Sequence, residues 1–239
     1  MKFLSPDSPE YLTDISTLVP ISVYGYCENE PIEYVDPEGT RIIIKNRRDY
    51  GEAFLNLLQK ITDDKVKFAN DYDGEITLVM RSKYKRKIGT RLLRRLFKSR
   101  SIVTLQAYSS VSLQKNNNSR FLVSYPDITY VYYSKNKYHR NIGAGGIVEI
   151  DFYNRPKSIP LYIVLAHELI HAYRATVGLT IHKDITYKNV PIEEYLTIGL
   201  NFKKCASYKF FKVFKSKIVT ENRIRKENGL PLRTSYFSY

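Results

Sequence analysis

Three residues of this chain have the types and the spacing to bind a metal ion and to work beside it. They are His167, Glu168 and His171, in the run LYIVLAHELIHAYRATVG from Leu161 to Gly178. The run is otherwise largely apolar, and the whole chain has only four histidines. Pro160 stands where the first turn of a helix tolerates proline, and Gly178 where a helix end favours glycine. The stretch between them is predicted to be one helix of about five turns. On such a helix His167 and His171 lie on one face, one turn apart. Both can then ligate a single ion at about 2.0–2.1 Å. Glu168 is turned about 100° from His167. It flanks the ion without being forced to ligate it, as suits a base acting on water at the metal. Leu165, Ala166, Leu169, Ile170 and Ala172 mark the helix as buried. Burying two imidazoles and a carboxylate without partners costs several kcal/mol, and a bound metal removes that difficulty.

The spacing is the H-E-x-x-H signature of zinc peptidases, so one catalytic Zn2+ is expected. A catalytic zinc needs a third protein ligand and an open position for water. The other histidines, His139 and His182, do not follow at the spacing a third histidine would need. The better candidate is an acid on the next predicted helix, PIEEYLTIGLN. Glu193 and Glu194 are adjacent and point to different faces, and periodicity alone does not separate them.

The elements that must carry these residues read as α+β. RIIIK (41–45) and EITLVMR (75–81) are predicted strands, and EAFLNLLQKI (52–61) a helix. SIVTLQAYSSVSLQ and RFLVSYPDITYVYYS read as β-rich runs separated by the turn-like KNNNS. GAGGIVEIDFYN (143–154) becomes a strand after its glycines, and helices follow over about 160–177, 191–206 and 219–228. Tyr173 and Arg174 either line the site or pack the helix.

The formal net charge is +14, which favours acidic partners. Much of the excess lies in RSKYKRKIGTRLLRRLFKSR, where Leu92, Leu93, Leu96 and Phe97 recur at helical spacing. A basic amphipathic helix is predicted over about 88–99. No apolar run approaches the ~20 residues needed to cross a bilayer. MKFLSPDSPEYL lacks the apolar core of a signal peptide, so a soluble chain without a classical cleaved signal is expected. Cys27 and Cys205 form neither a disulfide framework nor a zinc ribbon.

The first forty residues differ in texture, with five of the ten prolines and the closing turn DPEG of Asp36 to Gly39. Phe3-Leu4-Ser5-Pro6-Asp7, followed by YGYCENEPIEYVDPEG from Tyr24 to Gly39, resembles the end of an Rhs-repeat core. In Rhs toxins the residues after the last such phrase are a delivered effector domain. The resemblance implies a leader or tail over 1–40 and an effector domain over 41–239.

AHELIHA (166–172) and IEEYLTIG (192–199) resemble the active-site phrases of clostridial neurotoxin light chains. By that match Glu194 is the zinc ligand, and Glu193 a partner behind the ligands or a surface residue. TENRIRKENGLPLRTSY (220–236) resembles the end of the NleD-type effector metallopeptidases, which share the other two phrases. The match implies that Arg233 and Tyr236 face the scissile carbonyl and stabilise the oxyanion, one good donor being worth about 3–4 kcal/mol. It also implies a zincin-like metallopeptidase of the gluzincin type, with a mixed or antiparallel sheet, an active-site helix and a helical C-terminal part. Zincins keep an edge strand that aligns the substrate, and Gly146 to Phe152 is expected to be that strand.

The expected function is a zinc-dependent endopeptidase, secreted by a specialised bacterial route and acting in the cytoplasm of a target cell. Its partners would be a protein substrate with an acidic segment and an immunity protein or chaperone. A nucleic-acid-acting toxin suits the charge but lacks a paired nuclease motif, and a zinc-stabilised interaction module without turnover has no use for Glu168.

Overall fold

The computed structural model describes residues 42–70, 74–80, 85–99, 101–108, 119–134, 137–153, 159–200 and 219–237. The expectations for 1–40 and for KNNNS apart from Ser119 fall outside them. The helix expected over about 191–206 ends at Ile198, because Gly199 takes a left-handed φ of 88°, and its expected part beyond residue 200 also lies outside them. The central element is a four-stranded mixed sheet in the order β1 (Ile42–Ile44), β4 (Val103–Tyr108), β8 (Gly146–Asp151), β5 (Arg120–Val123). The β1–β4 and β4–β8 pairs are parallel, while β5 runs antiparallel along β8 with Phe121 opposite Val148. Small antiparallel pairs accompany it: β2 (Lys65–Phe68) with β3 (Ile76–Val79), β6 (Tyr132–Ser134) with β7 (Lys137–His139), and β9 (Thr186–Tyr187) with β10 (Val190–Pro191).

Five helices complete the described fold: α1 (Arg47–Ile61), α2 (Lys87–Phe97), α3 (Leu161–Thr176), α4 (Ile192–Ile198) and α5 (Glu221–Glu227). Strand alternation turns Ile42, Ile44, Val103, Leu105, Val148 and Ile150 toward one layer, where they are buried with Phe54 and Leu58 of α1 and Ile163 and Leu165 of α3. Leu92, Leu93, Leu96 and Phe97, the apolar stripe of the basic helix, enter the same core. The α+β expectation holds, and the long helices lie where periodicity predicted them. α1 begins five residues earlier than expected, at Arg47, because the polar first turn carries no apolar periodicity.

One strand expectation is corrected. Gly146–Asp151 is flanked by β4 and β5, so it is an interior strand, buried on both faces at Val148, Glu149 and Ile150. Among the described residues the edge beside α3 is Arg120–Val123. A strand's place in a sheet depends on which other segments pair with it, and local sequence does not contain that.

α2 is held to α1 by close backbone approach and by ions. A Cβ on Gly89 would sit 1.9 Å from the Ile61 carbonyl oxygen, so only glycine allows the two helices this distance. Arg94 forks onto Asp64 at 2.6 and 2.7 Å, and Arg86 donates from both its backbone N–H and its Nε to Asp63. Gly89→Ala is expected to destabilise the chain by about 3 kcal/mol, the upper end of the overpacking range, read as a lowered Tm in a thermal melt followed by circular dichroism.

Candidate active site

α3 runs from its Pro160 cap to Gly178, whose φ of 64° is the left-handed geometry that ends a helix there. One face of it lines a cleft of about 430 Å3, which β5 also lines. His167, Glu168, His171 and Ala175 of α3 line it, together with Phe121 and Val123. Ile159, Ile163 and Val164 add apolar lining, and Tyr130, Thr180, Ile181 and Lys183 also line it with Pro191 and residues from α4 and α5.

The two imidazoles and the Glu194 carboxylate converge. His167 Nε2 lies 3.1 Å from His171 Nε2 and 3.2 Å from Glu194 Oε2, and His171 Nε2 lies 3.3 Å from Glu194 Oε1. Ligands bonded at about 2.0–2.1 Å in a tetrahedron stand about 3.3 Å from one another, so the donor set fits a zinc-sized ion in distance as well as in kind. Of the described residues, these three form the group of His, Cys, Asp and Glu able to hold a metal. Glu193 instead approaches His171 at Nδ1, so Glu194 is the acid of the adjacent pair that shares this point with the two Nε2 atoms.

Each imidazole is oriented from behind. His167 Nδ1 donates to Glu221 Oε2 at 2.8 Å, which leaves Nε2 facing the cleft. Glu221 in turn accepts from Arg225 at 2.6 Å and from Arg233 at 3.1 Å. On the other side, Glu193 Oε1 lies 3.6 Å from His171 Nδ1. Glu193 takes two bonds from the Arg174 guanidinium, at 2.5 and 3.1 Å, and one from the Ile181 backbone N–H at 2.9 Å. Arg174 also donates to the Leu179 carbonyl, so this buried pair pins both the helix and the loop that walls the cleft. A carboxylate behind each histidine is the arrangement that fixes ligand orientation and basicity at metal sites.

The charges follow from the burial. Burial disfavours imidazolium at His167, but hydrogen bonds to Glu194 and Glu221 outweigh it and raise its pKa to about 9. His171 is raised well above its ordinary value against the same burial, chiefly by Glu194. Burial alone would raise Glu194, Glu193 and Glu221, yet their cationic neighbours hold all three low, Glu221 at about 2. The site thus favours positive charge at the imidazoles, whether a proton or a metal ion carries it. Glu168 differs: its burial prevails over the nearby histidines and lifts it to about 7, although the Phe121 backbone N–H donates to it.

Arg233 and Tyr236 reach the cleft wall from the C-terminal segment. Asn222 exchanges two hydrogen bonds with the Arg233 backbone, and the Arg233 guanidinium donates to Glu221 and to the Tyr236 carbonyl. Sequence reasoning missed Glu221. Its i, i+4 spacing to Arg225 has the signature of a solvent-facing helix pair, whereas it is 1% exposed and reaches His167. The phrase that carries Arg233 and Tyr236 also contains Glu221, and that was the available signal. Tyr173 and Arg174 both pack rather than line the cleft: Tyr173 Oη accepts from Arg95, and Arg174 is 2% exposed on Glu193.

Arg174→Met leaves Glu193 as a buried carboxylate without its guanidinium. The expected cost is about 3–5 kcal/mol, measured by urea unfolding in a metal chelator. Arg174→Met combined with Glu193→Leu should recover a large part of it, because the uncompensated charge is then gone.

A family model described as Effector protein, Peptidase_M91, matches residues 50–236, a span that begins within α1 and holds the whole cleft and Tyr236. No curated protein and no solved structure matches the chain.

Proposed function

From the chain's membership of the Peptidase_M91 effector-protein family, which makes it a peptidase acting on protein, we propose that it is a zinc-dependent endopeptidase of zincin-like fold. The observation that carries this reading is the convergence of His167, His171 and Glu194 at 3.1–3.3 Å beside a buried glutamate. These three residues are the metal ligands in this proposal. Zinc held there would supply a Lewis acid that polarises the scissile carbonyl and makes water a better nucleophile.

The chain's own groups supply the rest. Glu168 borders the cleft one residue from a ligand, where it takes a proton from attacking water and passes it to the leaving amine. β5, antiparallel and on the sheet edge, offers an extended peptide a backbone to pair with along α3. Arg233, held by Glu221 beside the cleft, and Tyr236 stabilise negative charge on the carbonyl oxygen as it becomes tetrahedral. Glu221 and Glu193 hold the two imidazoles in the geometry that ligation requires.

The delivery reading is also a proposal. Residues 1–40 act as an Rhs-core-like leader and 41–239 as the enzyme, carried by a specialised bacterial secretion route to the cytoplasm of a target cell. Its support is the Rhs-like phrasing of the first forty residues and the effector family of those that follow. Among the described residues no helix is long and apolar enough to cross a membrane.

Glu168→Ala should keep stoichiometric zinc, measured by plasma emission spectroscopy, yet release none of the new protein N-termini that the wild type produces in target-cell extract. Undiminished cleavage by that variant would remove Glu168 from its role. Glu221→Gln should retain the fold but weaken zinc binding about 10–100-fold in a chelator competition.

A further inference from the structure

The basic face of α2 has no part in the cleft. Lys87, Arg91, Arg94, Arg95 and Lys98, with Thr90, line a separate shallow hollow of about 150 Å3. Arg94 is engaged by Asp64 and Arg95 by the Tyr173 hydroxyl. Lys87, Arg91 and Lys98 are exposed and form no ion pair among the described residues.

This composition works against the helix that carries it. Lys87–Arg91, Arg91–Arg95 and Arg94–Lys98 are like charges one turn apart, which destabilise a helix. Lys87 also begins a helix with no acid in its first turn, opposing the helix dipole. The compensation comes from another element: Glu227 of α5 accepts from the Ile88 N–H at 2.7 Å and the Gly89 N–H at 3.2 Å. A surface that keeps repelling cations and draws its helix cap from elsewhere breaks the local rules, and such breaches concentrate at functional sites.

Spacing defines the partner. Successive cations at i and i+4 rise about 6 Å along the helix. Alternate residues of an extended chain stand about 6.6–6.8 Å apart on one side. Carboxylates on alternate positions of an extended peptide can therefore meet Lys87 and Arg91 in turn and, continuing past Arg95, reach Lys98 about 16.5 Å along the helix from Lys87. The hollow lies on the side of α3 marked by Tyr173, whereas the cleft is lined by His167, Glu168, His171 and Ala175. A segment bound there is remote from the bond being cut.

We infer that α2 is an exosite that docks an acidic, extended segment of the protein substrate, away from the cleft. The identity of the partner as a substrate rests on the peptidase reading, while the binding itself does not. The test uses the full chain carrying Glu168→Ala and fluorescence anisotropy with three labelled probes. These are a short peptide alternating glutamate and serine, the same peptide with glutamine for glutamate, and a short single-stranded RNA. The acidic peptide should bind at low salt and weaken as salt rises. K87E/R91E/K98E should weaken it by about tenfold or more, with the circular dichroism spectrum and zinc content unchanged. Should that variant misfold, K87Q/R91Q/K98Q, which removes repulsion from the helix, is expected to show the same loss.

Three results would overturn the exosite: unchanged affinity in the folded variant, equal binding of the glutamine peptide, or tighter binding of RNA that the same substitutions abolish. Stripe-dependent peptide binding by a chain whose wild type cuts no protein would sink the peptidase reading alone. Proteolysis without stripe-dependent binding would sink the exosite alone.

Discussion

The structure depends on the cost of placing ionisable groups in a dry interior. α3 buries Glu168 and nearly buries two imidazoles within a core of leucine, isoleucine and alanine. In such surroundings an unpaired polar group is expensive, so each must be answered by a partner from elsewhere in the chain. Glu221 answers His167, and Glu193 stands behind His171. Neither could be buried alone, so Arg225, Arg233 and Arg174 are buried with them. The polar network therefore grows outward from the helix until its last members reach backbone carbonyls at Leu179, Pro231 and Tyr236.

That network has a geometric consequence. Paired buried charges tolerate little displacement, because moving one partner exposes the other to its full desolvation penalty. α4, α5, the loop after α3 and the C-terminal segment are thereby fixed to α3 as one arrangement. The cleft inherits that rigidity. In the proposed reaction, imidazoles held by carboxylates and the Arg233 guanidinium held by Glu221 need little reorganisation.

α2 shows the same dependence from the opposite side of α3. Its apolar stripe is core, its Gly89 touches the end of α1, and its first turn is capped by Glu227 of α5. The helix is stable because of its neighbours rather than its own composition, which leaves its outer face free to be strongly basic. The two sides of one helical layer thus differ in kind: paired ionisable groups line the cleft, and exposed cations line the other face.

Much of this was legible in the sequence. The 3.6-residue period of α1, α2 and α3 appears directly in their apolar positions, and His167, Glu168 and His171 share a helix, so their mutual geometry is local. The α+β character followed from the same periodicities. What the tertiary structure alone decided are the relations between segments distant in the chain. It brought Glu194 rather than Glu193 to the point where the two Nε2 atoms meet, made Arg120–Val123 an edge strand among the described residues and Gly146–Asp151 an interior one, and buried Glu221 where its spacing to Arg225 suggested solvent. Periodicity reports which face of an element is apolar. It does not report which element that face will meet, and a buried carboxylate has meaning only through the partner it is buried against.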